Sequence, residues 1–109
     1  MLIDLRTYHV QPNTMDRHMQ LYAEHGYDVQ RKHLGEPIAY LLTESGADVN
    51  AYVHIWAYRD AADRERKRTN LRNDPGWHEM QRLSAAAGYL VRQENRLMTP
   101  APFFAFPKA

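Results

Sequence analysis

The chain has no cysteine, which excludes disulfides, thiolate metal sites and cysteine nucleophiles and fits a reducing compartment. It has no surplus of charge: fourteen Lys and Arg oppose thirteen Asp and Glu, so the total carries no nucleic-acid footprint. Its longest apolar runs are far too short for a bilayer span. Residues 1–6, Met-Leu-Ile-Asp-Leu-Arg, alternate as a strand does and lack the basic and apolar blocks of a secretory leader. No Gly-rich phosphate loop, nucleophile elbow, HExxH pair or EF-hand loop occurs. These absences predict a cytoplasmic protein without a membrane partner, a nucleic-acid partner, a metal or a cofactor. What remains is 109 residues, the length of a single domain. A chain of that size buries roughly two thirds of its unfolded surface without staples.

The most informative stretch is Asn50-Ala-Tyr-Val-His-Ile-Trp-Ala-Tyr-Arg59. A period of two divides it into a small aliphatic face (Ala51, Val53, Ile55, Ala57) and a face of large rings (Tyr52, His54, Trp56, Tyr58). Each ring of the second set has a polar edge that wants a partner. Such a surface suits a pocket or a subunit interface.

Around it the pattern predicts a strand over residues 2–10, stopped by Pro12-Asn13, and a helix capped by Asn13 or Thr14. Met15, Met19, Tyr22, Gly26, Val29 and His33 make one helical stripe over 15–33, with Gly26 predicted to allow close approach to the sheet. Gly35 and Pro37 end that helix. A second strand follows over 38–44, then a turn at 44–48 and the aromatic strand over 50–59. Asp60 caps a helix reaching about Asn73. Asp74-Pro75 starts a short third helix with Trp77, Met80, Leu83 or Ser84, and Ala87 inward, closed by Gly88. Residues 89–98 form the last strand, and 99–109 an extended tail beginning Thr-Pro-Ala-Pro.

The order β-α-β-β-α-(α)-β predicts a ferredoxin-like α+β domain over residues 1–109: a four-stranded antiparallel sheet with helices on one face. The aliphatic side of the central strand is expected beneath the helices and the ring-bearing side uncovered. A bare aromatic face of that size calls for a cover, and a second copy is the simplest. The expected assembly is a homodimer with a cavity between its two sheets and the apolar tail lying across the partner.

Seven segments in order carry a family resemblance: Leu21-Tyr-Ala-Glu-His-Gly26, Arg31-Lys-His-Leu-Gly35, Val53-His-Ile-Trp-Ala-Tyr58 with Ala62-Asp-Arg-Glu-Arg66, Asp74-Pro-Gly-Trp77, and Arg92-Gln-Glu-Asn-Arg96 followed by Pro100-Ala-Pro-Phe103. Together they resemble the NIPSNAP family over nearly the whole chain. The resemblance implies the dimeric α/β-barrel fold. It implies no settled reaction, because fold relatives include cofactor-free monooxygenases, haem-degrading enzymes, isomerases and structural modules. Animal members that resemble it carry mitochondrial targeting segments unlike residues 1–6.

Four constellations are candidates for chemistry. In the first, Tyr52, Trp56 and Tyr58 stack on a planar ligand while His54 exchanges a proton with it; the alternative is that all four fill a core. In the second, Asp4, Arg6 and Tyr8 on the first strand face Arg92, Glu94 and Arg96 on the last. They form ion pairs such as Arg6–Glu94 or Asp4–Arg96, or hold a substrate carboxylate or enolate in the arginine fork. In the third, His18 and His25 lie two helical turns apart, about 10 Å, too far to share a metal. His25 and His33 are left near a cavity mouth, where a haem-degrading relative would need its axial ligand. In the fourth, Arg64-Glu-Arg-Lys-Arg68 reads as a solvated, salt-bridged helix face rather than a phosphate site.

Two functional readings follow. One is a cofactor-independent oxygenase or isomerase acting on a small aromatic or polyketide-like molecule, with His54 as proton carrier and Arg6 or Tyr8 orienting an enolate. Tyr52, Trp56, Tyr58, His25 and Glu94 then line the ligand. The other is a non-catalytic dimeric binding or assembly module.

Overall fold

The computed structural model describes residues 1–106. Its elements run β1 (Leu2–Val10), α1 (Met15–His25), α2 (Tyr27–Leu34), β2 (Ala39–Leu42), β3 (Ala51–Tyr58), α3 (Ala61–Arg72), α4 (Pro75–Ala87) and β4 (Leu90–Met98). The strands form one antiparallel sheet in the order β2-β3-β1-β4. All four helices pack on the same side of it. Leu34 of α2, Leu71 of α3 and Trp77 of α4 surround Trp56 and Tyr58, while Met15 and Met19 of α1 meet Tyr8 and Tyr52. This is the ferredoxin-like α+β fold.

Local signals set most of the boundaries. The Asp60 side chain accepts the Asp63 backbone N–H at 2.8 Å and starts α3. Asp74 does the same for Gly76 at 2.7 Å, with Pro75 at the first helical position of α4. Gly88 closes α4 in the left-handed conformation, φ 69°, which a side chain would resist. Thr14 takes the cap position of α1, but its hydroxyl donates to the Gln11 carbonyl at 2.6 Å and caps nothing in the helix.

The expected single helix over 15–33 is two helices. They meet at Gly26, whose φ/ψ of −118°/−41° departs from helical values. The reason is packing against α4 and not the sheet. A Cβ at Gly26 would lie 3.0 Å from Cδ1 of Tyr22 and 3.2 Å from Sδ of Met80. Met80 is 1% exposed, so α1 and α4 close on each other through a position that only glycine fills without strain. The strand expected over 38–44 is likewise shorter, limited to Ala39–Leu42.

Past β4, the described part of the tail makes a turn in which Phe104 N–H donates to the Ala101 carbonyl at 3.0 Å. Phe103 and Phe104 are 92% and 52% exposed. The last residues of the tail, from Pro107 on, lie outside the described residues.

Gly26→Val should overpack the α1–α4 contact and lower stability by about 2 kcal/mol. Urea denaturation checks this, and an unchanged midpoint would remove the close-approach account.

Candidate functional site

The ring-bearing face of β3 lies under the helices, the reverse of the expected orientation. Tyr52 and Trp56 are fully buried, His54 is 1% exposed and Tyr58 2%. The gap between a sheet and the helices above it is about 10 Å wide and must be filled at crystal-like density. Ala51, Val53, Ile55 and Ala57 are too short to fill it; the rings are not. Their polar edges find partners on the helices and in the layer itself. His18 of α1 is hydrogen-bonded to the Tyr52 hydroxyl at 2.8 Å, and the Tyr40 hydroxyl donates to Gln30 of α2 at 3.3 Å. Tyr40 stacks on His54 at 4.8 Å and 22°, and Tyr8 meets the same imidazole edge-on at 4.6 Å. An inter-sheet chamber lined by Tyr52, Trp56 and Tyr58 is therefore ruled out: these rings are core.

On β1 the register places Arg6 between His54 of β3 and Asn95 of β4, so Asp4, Arg6 and Tyr8 also face the helices. Asp4 is fully buried and three elements converge on it. Arg6 Nη1 reaches Asp4 Oδ2 at 3.2 Å, Arg64 Nε of α3 reaches the same oxygen at 3.0 Å, and Asn95 Nδ2 of β4 donates to Oδ1 at 3.0 Å. Burial raises the pKa of this carboxyl. The Asn95 hydrogen bond and the two guanidinium charges outweigh that and hold it below its ordinary value.

The expected Arg6–Glu94 and Asp4–Arg96 pairs do not form. Glu94 stands opposite Thr7 and Arg96 opposite Leu5, on the open face of the sheet, because a register shift of one residue exchanges faces. Glu94 instead reaches His9 Nε2 at 3.0 Å, while Asp48 reaches His9 Nδ1 at 2.9 Å. The hydrogen bonds to Glu94 and Asp48 raise the pKa of that imidazole.

Arg6 and Tyr8 do line a cleft. It lies between β1 and β4 on one side and α3 and α4 on the other, with a volume of about 450 Å³. Arg68 and Arg72 of α3, Tyr22 of α1 and Trp77 of α4 share its walls, and among the described residues the lining contains no carboxylate. Arg6 Nε donates to the Tyr8 hydroxyl oxygen at 3.2 Å, which leaves the phenolic proton free to point elsewhere. Arg68 is half-buried and has no acidic partner among the described residues. Three arginines, two phenols and an indole thus line one concave surface, with Arg72 Nη2 also 3.6 Å from Glu65 Oε1. Its chemistry suits a planar anion, with arginine forks on the charge and rings on the flat body.

The basic run on α3 was expected to be a solvated face, and it is split. Arg66 pairs with Asp63 at 2.7 Å at the surface, whereas Arg64 turns inward to Asp4 and Arg68 into the cleft. Arg64, Arg68 and the buried Leu71 follow helical spacing, and that stripe was the available signal. Tyr22 and Trp77 were visible only as core positions.

His54 is held as a neutral base with no free lone pair. The Trp56 indole N–H donates to its Nδ1 at 2.8 Å, which puts the ring proton on Nε2. Nε2 is buried and has no partner among the described residues. Burial and then the Arg6 charge push its pKa down to about 3, and burial takes His18 down to about 4. His25 sits at the end of α1, with its side chain 41% exposed and Glu24 3.7 Å away, outside the cleft lining. His33 binds the capping Asp74 at 2.7 Å and joins α2 to the start of α4. Among the described residues no cluster of His, Asp or Glu is arranged to hold a metal, and no helix is long and apolar enough to cross a membrane.

Comparison with known proteins agrees with this architecture. The chain is 29% identical over 100 residues to Protein NipSnap homolog 2 of Danio rerio, covering 91% of this chain and 33% of that protein. It therefore spans about a third of that relative's length. The crystal structure of an uncharacterized NIPSNAP-like domain protein from Burkholderia xenovorans superposes with a TM-score of 0.85 at 34% identity, covering 95% of this chain and 88% of the other. An antibiotic biosynthesis monooxygenase of known structure shares the fold at 20% identity, with a TM-score of 0.62 over 94% of this chain and the whole of the other. A family model described as NIPSNAP matches residues 3–105, and with the ordered motifs, the fold and these relatives in agreement, the chain belongs to the NIPSNAP family.

Proposed function

We propose that this protein binds a small, planar organic anion, an aromatic carboxylate or the enolate of a polyketide-like molecule, in the cleft between its sheet and helices α3 and α4. The observation that carries the reading is the set Arg6, Arg68 and Arg72 facing Tyr8, Tyr22 and Trp77 across about 450 Å³, with no carboxylate in the lining. That volume is ordinary for a small-molecule site. Asp4 and Tyr8 fix the Arg6 fork before any ligand arrives, so little ordering entropy is lost on binding.

Binding comes ahead of turnover in this reading. The walls can stabilise an anion already formed, but they contain neither an imidazole nor a carboxylate to make one. A cofactor-independent isomerase or oxygenase would fit the same site if its substrate arrives ionised, as acidic 1,3-dicarbonyl compounds do, with Arg6 and Tyr8 orienting the enolate.

We also propose a homodimer. Leu5, Thr7, Val53, Ile55 and Ala57 form a half-buried aliphatic strip on the open face of the sheet, continued by Leu41 at 57% exposure. Its short side chains suit close sheet-on-sheet contact better than a chamber. The exposed Phe103 and Phe104 lie in the tail, available to reach over the second copy.

Three outcomes are expected. Benzoate titrated by calorimetry should bind, and Arg68→Ala should weaken it by about tenfold or more, the loss of one charge-assisted hydrogen bond. Arg17→Ala, the same charge change away from the cleft, should leave affinity unchanged; equal losses in both variants would reduce the site to general electrostatics. Ultracentrifugation should show a dimer that Ile55→Lys converts to folded monomers, and a wild-type monomer sinks the assembly proposal.

The third outcome concerns pH. His54 and His18 have folded pKa values below the ordinary 6.5, so the unfolded chain binds protons that the folded chain refuses. Stability should therefore fall as pH drops from about 6.5 toward 4, by up to about 1.4 kcal/mol per pH unit for each ring. Urea midpoints at several pH values measure the slope, and imidazole NMR titration should show neither ring charging above pH 5, about where burial places their onset. A His54 transition near 6.5 would restore it as a proton carrier.

A further inference from the structure

We infer that Tyr22 is a partition that sets how long a ligand the cleft accepts, and that an apolar compartment fitted to a hydrocarbon tail lies behind it. This deepens the anion-site reading and rests on it. The ligand class it names is an amphipathic carboxylic acid, with its head at the arginines and its tail beyond Tyr22.

The second compartment has a volume of about 220 Å³ and is lined by Met19, Tyr22, Ala23, Tyr27 and Tyr40. It lies between α1, α2 and β2, on the far side of α1 from the arginine cleft. Tyr22 is the one residue common to both linings. The other walls offer a thioether, a methyl group and two rings in edge-to-face contact at 5.7 Å. The Tyr40 hydroxyl is engaged by Gln30, so the compartment presents carbon to whatever enters. An alkyl chain or a second ring matches it; a charged or sugar-like group does not.

Tyr22 is well held in the dividing position. It is 7% exposed, and its ring lies 5.0 Å from that of His18, 6.4 Å from Trp77 and 6.5 Å from Tyr52. Its Cδ1 comes within 3.0 Å of where a Gly26 side chain would begin. The missing side chain at Gly26 is thus what leaves room for the ring. With the ring in place, the head-group cleft ends at Tyr22; with a smaller side chain, the two spaces join.

The test uses benzoate and 4-hexylbenzoate as probes, titrated calorimetrically into the full chain. Wild type should bind both with similar affinity, since the added chain finds no room behind the ring. Tyr22→Leu, whatever it does to benzoate itself, should raise the ratio of 4-hexylbenzoate to benzoate affinity about tenfold or more over wild type, the gain from burying two or three methylenes. Ala23→Phe fills the second compartment from an exposed position, and added to Tyr22→Leu it should cancel that gain. Tyr22→Phe keeps the wall and should keep the wild-type ratio of the two affinities. The partition is overturned if Tyr22→Leu gives no gain for the longer acid. It is equally overturned if wild type already prefers the longer acid and Ala23→Phe alone removes the preference, an arm that holds even should Tyr22→Leu fail to fold. Absence of benzoate binding by wild type, or binding indifferent to Arg68→Ala, refutes the anion site and the partition together.

Discussion

The carboxylate of Asp4 is the constraint on which the rest of the molecule turns. It is fully buried near the start of the central strand and gathers Arg6 from its own strand, Arg64 from α3 and Asn95 from β4. A charge with no exposure is tolerable only when its lone pairs are satisfied, and here four hydrogen-bonding sites face three donors. That arrangement docks α3 at a fixed height over the sheet, holds β4 in register and sets the direction of the Arg6 fork. The same contacts that neutralise Asp4 therefore shape the cleft. Structure and binding geometry are one network, so changes at Asp4 or Arg64 act on both at once.

Beside that network lies a layer of rings, Tyr8, Tyr40, Tyr52, His54, Trp56 and Tyr22, in edge and stacked contacts of 4.6 to 6.5 Å. Rings carry large apolar area on few rotatable bonds, so such a layer is stiff once packed. Tyr8 and Tyr22 of this layer line the arginine cleft, and Tyr22 and Tyr40 line the apolar compartment. The arginines above the rings are longer and more exposed. The molecule thus sets a stiff ring layer and a fixed Arg6 fork beside the more exposed Arg68 and Arg72.

Much of this was legible in the sequence. The order of elements, the caps at Asp60 and Asp74, the stop at Gly88 and the alternation of β3 all follow from local chemistry, and these features suffice for the fold. The side of the sheet that the helices cover was not legible in that way. A period of two identifies two faces and is silent on which is inward; size decides it, since only the rings of β3 fill the gap beneath the helices. The polar neighbours Asp4, Arg6 and His54 disguised that inner face as an outer one. Strand register was equally hidden: Arg6 meets Asn95 and not Glu94, a one-residue difference that sends Glu94 and Arg96 to the opposite side. The cleft escaped notice because its walls come from five elements, and Arg68 differs from its surface neighbours only by helical phase.

One feature of β4 reaches beyond the single molecule. It borders the sheet for nine residues, with its outer row of backbone N–H and C=O groups unpaired among the described residues. A long bare margin of this kind invites foreign strands to add on and grow into fibres. Arg92, Glu94 and Arg96 occupy every second position along it, so an incoming chain would have to desolvate both signs of charge to seat itself. The opposite margin, β2, offers only four residues. Lateral growth is discouraged at both borders, so the open face of the sheet is the surface left for the proposed contact with a second copy.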